Sequence, residues 1–135
     1  AMTKLEIAAL FAGVNLLILV FLGLRVADFR RRNRIGLGDA GNPDLLTRIR
    51  QHGNAAEYIP AGVAGLLFLA LLDPIPLWLL EVTGVLLTVG RLLHPWGLAR
   101  SQGASFQRVS GMMLTFAALL ICALGAIWGA MQPVL

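Results

Sequence analysis

The chain has 135 residues, of which 58% are hydrophobic and 13% are charged, whereas a typical soluble domain is about 45–50% apolar and about 25% charged. This composition excludes a single soluble domain, because a soluble helical bundle needs a polar stripe along every helix. Residues 7–24 and 109–135 carry no charge at all, and each run reaches the roughly 18 residues needed to span a bilayer. The sequence therefore predicts an all-α membrane protein.

Four transmembrane helices are predicted in an up-down bundle, over residues 3–32, 43–72, 76–99 and 105–131, and they make the whole chain, 1–135, one domain. Asn42 before Pro43 is typical of a helix N-cap followed by proline at the first helical position. The segment 73–76 contains two prolines and predicts a tight stop, and Ser105 is a candidate N-cap after the loop 101–105. The first helix is expected to be retained, because Arg30 and its neighbours follow it where a signal peptide would have a small-residue cleavage site.

The arginines indicate the orientation of the chain in the membrane. They flank the first loop (Arg25, Arg30, Arg31, Arg32, Arg34, Arg48 and Arg50) and the third loop (Arg91, Arg100 and Arg108), whereas Lys4 stands alone at the other side. Short loops rich in Lys and Arg stay cytoplasmic. We therefore expect an integral protein of the bacterial inner membrane with loops one and three in the cytoplasm and both termini opposite. The net charge of +4 is explained by this rule and by contact with anionic membrane lipid, so no nucleic-acid partner is expected.

A polar stripe enters the membrane on the second helix. At about 100° per residue, Arg50, Asn54 and Glu57 share one narrow face, with Tyr58 on its flank. A carboxylate followed by fifteen uncharged residues is costly in a bilayer unless it is paired or lines a wet cavity, so Glu57 is a candidate functional residue. The alternative is a structural ion pair between Glu57 and Arg91. Pro60, which removes a backbone hydrogen bond, is expected to kink this helix.

The third helix adds a second polar pair, since Arg91 and His94 lie at i and i+3 on one face. His94 is equally well interpreted as an ordinary interfacial histidine. Arginines pair with carboxylates, and a carboxylate pairs with an ammonium group. The charge pattern therefore predicts a small ligand with more negative than positive charge, which glutathione satisfies and which other anionic metabolites and lipid head groups also satisfy.

Three segments carry a resemblance to a known family: residues 34–39, residues 49–60 and residues 90–97. With their Arg-x-x-x-Asn-x-x-Glu-Tyr-x-Pro core, they resemble the MAPEG family, membrane-associated proteins in eicosanoid and glutathione metabolism, and most closely its small bacterial branch. The resemblance implies a homotrimer of four-helix subunits. It also implies glutathione, as co-substrate, held between adjacent subunits near the cytoplasmic edge.

The resemblance to the glutathione transferases and leukotriene synthase-like enzymes of this family also implies site residues. Arg50, Asn54, Glu57 and Tyr58 fall on glutathione-binding positions, His52 replaces a glutamine there, and Arg30 matches a further arginine at the end of the first helix. Arg91 and His94 complete the predicted binding set. His94 and Leu98 stand where those enzymes carry tyrosines. Arg108 is the best match for the arginine that lowers the thiol pKa, with Arg100 as the alternative.

The predicted function is therefore a glutathione transferase or glutathione peroxidase acting on a lipophilic substrate. A thiolate is the nucleophile, and a nearby guanidinium favours that charged form. Two alternatives come from other classes: a non-catalytic lipid- or ligand-binding scaffold of the same family, and a small transporter, which would place an essential carboxylate deeper in a helix. No cysteine and histidine cluster has metal-ligand spacing, so no metal site is expected.

Overall fold

The computed structural model describes residues 1–101 and 103–133 and consists of four long helices. They are α1 (Lys4–Asn33), α2 (Pro43–Leu71), α3 (Leu77–Arg100) and α4 (Phe106–Met131). Each is long and apolar enough to cross a membrane, which confirms the predicted all-α, four-span architecture. Gln102, in the predicted loop 101–105, and residues 134 and 135, at the end of the predicted apolar run, lie outside the described residues.

The helix ends follow the local capping signals of the sequence. Asn42 accepts hydrogen bonds from the backbone of Asp44 and Leu45, and Ser105 accepts one from the backbone of Arg108. These contacts confirm both predicted caps, because each satisfies backbone donors that the first helical turn leaves free. The helix boundaries differ from the predicted ones by a single residue at most ends. Pro76, predicted as the first residue of the third helix, is the N-cap of α3.

Two prolines lie inside helices. Pro60 lies within α2 and Pro95 within α3. Each helix continues as an α-helix on both sides of its proline. Pro95 has a second role, because its backbone carbonyl accepts a hydrogen bond from the Gln51 side chain at 2.7 Å. This bond ties the third turn of α2 to the last turns of α3.

The four helices pack with α2 and α3 in the middle of the bundle. Within the described ranges α1 contacts α2 and α3, α4 contacts α3 and α2, and α1 and α4 do not contact each other. The bundle therefore has two broad faces, one made by α1, α2 and α4 and the other by α1, α3 and α4. At one end, where α1 and α3 finish and α2 and α4 begin, lie most of the arginines; we call it the arginine-rich end.

The core is apolar, and so is the outside. Buried leucines and small residues from all four helices form the main cluster, which includes Leu66, Leu69, Leu80, Leu87 and Ala118. Many large side chains on the outer surface are equally apolar, among them Leu17, Phe21 and Leu24. A bilayer solvates such a surface without the cost that water would impose.

Candidate functional site

A cavity of about 230 Å³ opens at the arginine-rich end between α2, α3 and α4. We call it the arginine cavity. Its lining side chains are Leu46, Thr47, Arg50, Asn54, His94, Leu98 and Arg108. Helix α2 supplies the first four of these, α3 supplies the next two, and α4 supplies the last one. The cavity thus joins two arginines, an amide and an imidazole that are far apart in the sequence.

Arg50 and Asn54 lie four residues apart, so they line the cavity one above the other on α2. Behind them Arg91 of α3 is 1% exposed, and its Nη1 donates to Asn54 Oδ1 at 2.6 Å. The same guanidinium donates through Nε to Thr115 Oγ1 of α4 at 2.9 Å. Since Arg91 occupies the amide oxygen of Asn54, the amide nitrogen remains as the donor that Asn54 can offer to a ligand.

Aromatic and sulfur groups complete the surroundings of Arg91. Its guanidinium carbon lies 5.4 Å from the centre of the Tyr58 ring, and the Tyr58 ring meets Phe116 edge to face at 5.6 Å. The Nη2 group contacts Met112 Sδ at 3.3 Å. The Arg91 guanidinium therefore contacts polar and polarisable groups of α2 and α4. It lies behind the wall of the arginine cavity and does not line the cavity itself.

Arg108 reaches the cavity from the first turn of α4. Gly97 allows this approach, because a Cβ at Gly97 would overlap the backbone nitrogen of Arg108. The Arg108 side chain also donates to the carbonyl of Gly103 at 3.3 Å. Arg100, the alternative arginine, lies elsewhere, with its guanidinium 5.6 Å from the Trp96 ring. The geometry therefore places Arg108 at the cavity and Arg100 outside it.

His94 is the other polar residue that α3 brings to the cavity. It is 4% exposed, and its Nδ1 has no hydrogen-bond partner within the described residues. A buried ring nitrogen without a partner is costly unless a ligand or water satisfies it. Leu98, one turn further along α3, gives the cavity an apolar patch at the position where the family resemblance implies a tyrosine.

Five predicted residues do not line the cavity of a single chain. Tyr58 and Arg91 pack against each other behind Asn54, and the other three lie further away. His52 lies on another side of α2 and faces α1, with its Nε2 3.2 Å from the place of a Cβ at Gly23. Arg30 is near the end of α1 with a buried Nη1 that has no partner within residues 1–101 and 103–133. Glu57 is exposed on α2.

The alternative ion pair between Glu57 and Arg91 is wrong for this structure. In the described part of the chain, the ion pairs are those of Asp28 with Arg31 and Arg32. Arg91 instead directs its donors to Asn54 and Thr115, since both acceptors lie in the interior of the bundle while Glu57 lies on its surface. The sequence placed Glu57 and Asn54 on one narrow face of the second helix. That placement did not decide which of the two faces α3.

The sequence reasoning missed several buried polar residues, and two of them, Thr115 and Gln51, lie close to this site. Thr115 lies in a long apolar run and joins Arg91 to the backbone of α4, since its hydroxyl donates to Gly111 O at 2.8 Å. Gln51 is 2% exposed and bridges α1 and α3, accepting from Arg25 Nη1 at 2.8 Å. The signal for Thr115 was its presence as a lone hydroxyl after Gly111 in that run, since such a hydroxyl bonds the carbonyl four residues earlier.

The arrangement suits an anionic ligand better than a metal ion. Among the described residues no group of three His, Cys, Asp or Glu side chains is placed to hold a metal. Two guanidinium groups at one cavity instead match carboxylates, and a guanidinium beside a thiol favours the thiolate. The cavity can therefore bind an anion and stabilise a negative charge on sulfur.

Comparison with known proteins gives the family. The MAPEG family model matches residues 8–128. The chain is also 35% identical over 123 residues to the inner membrane protein YecN of Escherichia coli K12, and the match covers 90% of this chain and 91% of the relative. The protein of the same name from Escherichia coli O6:H1 matches to the same extent. The chain is a membrane protein that belongs to the MAPEG family.

Proposed function

We propose that this member of the MAPEG family is a glutathione-dependent transferase or peroxidase of the bacterial inner membrane, acting on lipophilic electrophiles or hydroperoxides. The observation that carries the proposal is the meeting of Arg50, Asn54, His94 and Arg108 at one cavity at the arginine-rich end. The membrane location follows the four apolar helices and the inner-membrane relative. With loops one and three in the cytoplasm, the cavity receives glutathione from the aqueous side.

Each residue of the arginine cavity has its own role in the proposed binding of glutathione. Arg50 pairs with a carboxylate of glutathione, Asn54 donates from its amide nitrogen, and His94 Nδ1 bonds a polar group of the tripeptide. Arg108 lies beside the sulfur and stabilises the thiolate. Each unit by which the thiol pKa falls corresponds to about 1.4 kcal/mol of preferential stabilisation of the thiolate.

The chemistry needs no nucleophile from the protein. In the transferase reaction the thiolate attacks an electrophilic carbon, a carbon–sulfur bond forms, and the leaving group departs with its electron pair. In the peroxidase reaction the thiolate attacks the peroxide oxygen, the O–O bond breaks, and an alcohol is released after protonation. A second glutathione then displaces hydroxide from the oxidised sulfur to give glutathione disulfide and water.

A homotrimer is part of the proposal. Glu57 is exposed on a helix that crosses the membrane, and an unpaired carboxylate facing lipid is costly. A second copy covering the face made by α1, α2 and α4 removes this cost. The same arrangement allows Arg30 and His52, which lie away from the cavity of their own chain, to contribute to the site of a neighbour.

A non-catalytic ligand-binding scaffold is the second candidate. Leu98 favours it, because this apolar side chain lines the cavity at a position where the family resemblance implies a tyrosine hydroxyl. A scaffold binds glutathione or a lipophilic ligand without lowering the thiol pKa or turning over an electrophile.

The test compares Arg108→Leu with Arg100→Leu in purified protein. Calorimetry measures glutathione binding, ultraviolet absorbance measures the thiolate fraction, and a chromogenic electrophile measures turnover. We expect the wild type and Arg100→Leu to bind glutathione as thiolate and to turn over, whereas Arg108→Leu loses the thiolate signal and at least tenfold in turnover. Binding without thiolate or turnover in the wild type supports a scaffold that binds glutathione, and no binding at millimolar glutathione contradicts the enzyme and favours a scaffold for a lipophilic ligand.

A further inference from the structure

A second concavity lies on the opposite side of α3 from the arginine cavity. This α1–α3 groove, of about 550 Å³, is walled mainly by apolar side chains such as Val14, Phe21, Leu92 and Trp96. Consecutive residues of one helix line different sites. Arg50 and His94 line the arginine cavity, whereas the residues that follow them, Gln51 and Pro95, line the groove. The hydrogen bond from Gln51 to Pro95 closes the wall between them.

The groove has the length of one bilayer leaflet. It runs along α1 from Val14 to Arg25, and the eleven steps between these residues rise roughly 16 Å at 1.5 Å each. Half of a hydrocarbon core is about 15 Å. Several of its side chains, including Leu17 and Phe21, are largely exposed, so the groove is open to the surrounding lipid in a single chain.

The groove is positively charged where it reaches the arginine-rich end of the bundle. The uncharged run 7–24 ends at Arg25, which places this residue at the boundary between hydrocarbon and head groups. Arg25 uses one nitrogen, Nη1, to donate to Gln51, and Arg48 approaches it by donating to its carbonyl at 3.3 Å. Arg100 lies over the Trp96 ring at the same end.

Within residues 1–101 and 103–133, Arg25, Arg48 and Arg100 form no ion pair with a carboxylate, and Asp28 pairs with Arg31 and Arg32 instead. Guanidinium groups bind phosphate through paired donors, and tryptophan is enriched at the membrane interface. An apolar channel one leaflet long beneath these arginines is complementary to a lipid whose acyl chain is joined through glycerol to a phosphate.

We propose that the α1–α3 groove is a binding site for an anionic glycerophospholipid, with an acyl chain along Phe21 and Trp96 and the phosphate at Arg25. The site lies apart from the arginine cavity and does not depend on the proposed activity. The lipid comes from the bilayer that surrounds the protein, so no soluble ligand is required.

Quenching of Trp96 by brominated lipids tests the proposal. Trp78→Phe and Trp128→Phe leave Trp96 as the single tryptophan, and the protein is reconstituted with brominated phosphatidylglycerol or brominated phosphatidylcholine diluted into unbrominated phosphatidylcholine. We expect phosphatidylglycerol to quench at several-fold lower mole fraction. Arg25→Gln should reduce that preference about fivefold, the effect of one basic residue near a membrane surface.

Arg31→Gln is the matched control, because Arg31 is on the same helix, is exposed and pairs with Asp28 away from the groove. It should keep the preference. Ala99→Phe is a second variant, which fills the groove at the arginine-rich end with a large side chain. It should reduce quenching by phosphatidylglycerol without removing a charge.

Four outcomes overturn the proposal. Equal quenching by the two lipids in the parent protein shows ordinary contact with bulk lipid. An unchanged preference in both Arg25→Gln and Ala99→Phe places the anionic lipid elsewhere. Quenching by neither lipid means that a second copy of the chain covers the groove, and stronger quenching by a brominated fatty acid than by phosphatidylglycerol identifies a single-chain carboxylate as the occupant.

Discussion

Arg91 shows how a charge is accommodated inside this bundle. Among the described residues it is the one arginine that is buried, and no carboxylate pairs with it. A buried charge is costly unless hydrogen bonds replace its hydration. Asn54, Thr115 and the Tyr58 ring provide that replacement. Arg91 therefore acts on the arginine cavity through Asn54, as a positioning residue.

Thr115→Val should destabilise the protein, because it removes the hydroxyl that accepts from Arg91 Nε while keeping the volume. An unsatisfied buried donor costs about 1–3 kcal/mol, so the unfolding temperature in detergent should fall. Thr115→Ser keeps the hydroxyl and should recover most of the loss. A Val variant as stable as the Ser variant would mean that the hydrogen bond contributes nothing.

Leu98→Tyr should tighten glutathione binding, since it returns a hydroxyl to the wall of the arginine cavity. One net hydrogen bond contributes about 0.5–1.5 kcal/mol, which corresponds to a Kd roughly two- to tenfold lower by calorimetry. Leu98→Phe, with the ring but no hydroxyl, is the control. Equal gains in the two variants would assign the effect to packing, and no gain in either would show that residue 98 does not contact the ligand.

At the scale of the elements, glycines bring the backbones of α3 and α4 into close contact. A Cβ on Gly90 would lie 2.7 Å from the carbonyl oxygen of Gly111, and one on Gly97 would overlap the start of α4. These contacts hold the first turn of α4 against α3, so Arg108 and His94 face the same cavity. Small residues at helix contacts allow such close approach in membrane proteins.

Gly97→Ala should therefore cost about 1–3 kcal/mol of stability through overpacking and weaken glutathione binding by displacing Arg108. Gly13→Ala is the control, because a Cβ there meets nothing within 4 Å and alanine favours a helix by about 0.5–1 kcal/mol. Thermal unfolding and calorimetry of both variants give the comparison. If the two variants behave alike, the α3–α4 contact tolerates a methyl group and does not position Arg108.

For the molecule as a whole, charge and hydrophobic surface are arranged by different rules. The arginines cluster at one end, and short basic loops remain in the cytoplasm. The apolar surface covers the sides, where one broad face carries Glu57 and the other carries the α1–α3 groove. Under the two proposals above, the first face meets other copies and the second meets lipid.

The orientation can be tested by cysteine labelling of inverted membrane vesicles and intact spheroplasts. Cys122 is buried, so Cys122→Ala removes the single native thiol. Leu37→Cys in the first loop should react with a membrane-impermeant maleimide in inverted vesicles, and Asp73→Cys in the second loop should react in spheroplasts. The reverse pattern would invert the proposed topology and place the arginine cavity outside the cytoplasm.

Much of the architecture follows from local properties of the sequence. The four helices, the caps at Asn42 and Ser105 and the clustering of arginines at one end could all be predicted, because span length, capping and charge depend on neighbouring residues. The family was also recognisable, since its motif is continuous in the sequence around Arg50 and Glu57.

Only the tertiary structure decided which polar groups meet. Arg91 bonds Asn54 and not Glu57, Arg108 and not Arg100 lines the cavity, and Gln51 faces the groove opposite to Arg50. The sequence determines the angle between residues on one helix, but the rotation of each helix about its axis relative to its neighbours is set by side-chain packing. Packing between α2, α3 and α4 therefore made one cavity of residues whose helical faces alone left several pairings open.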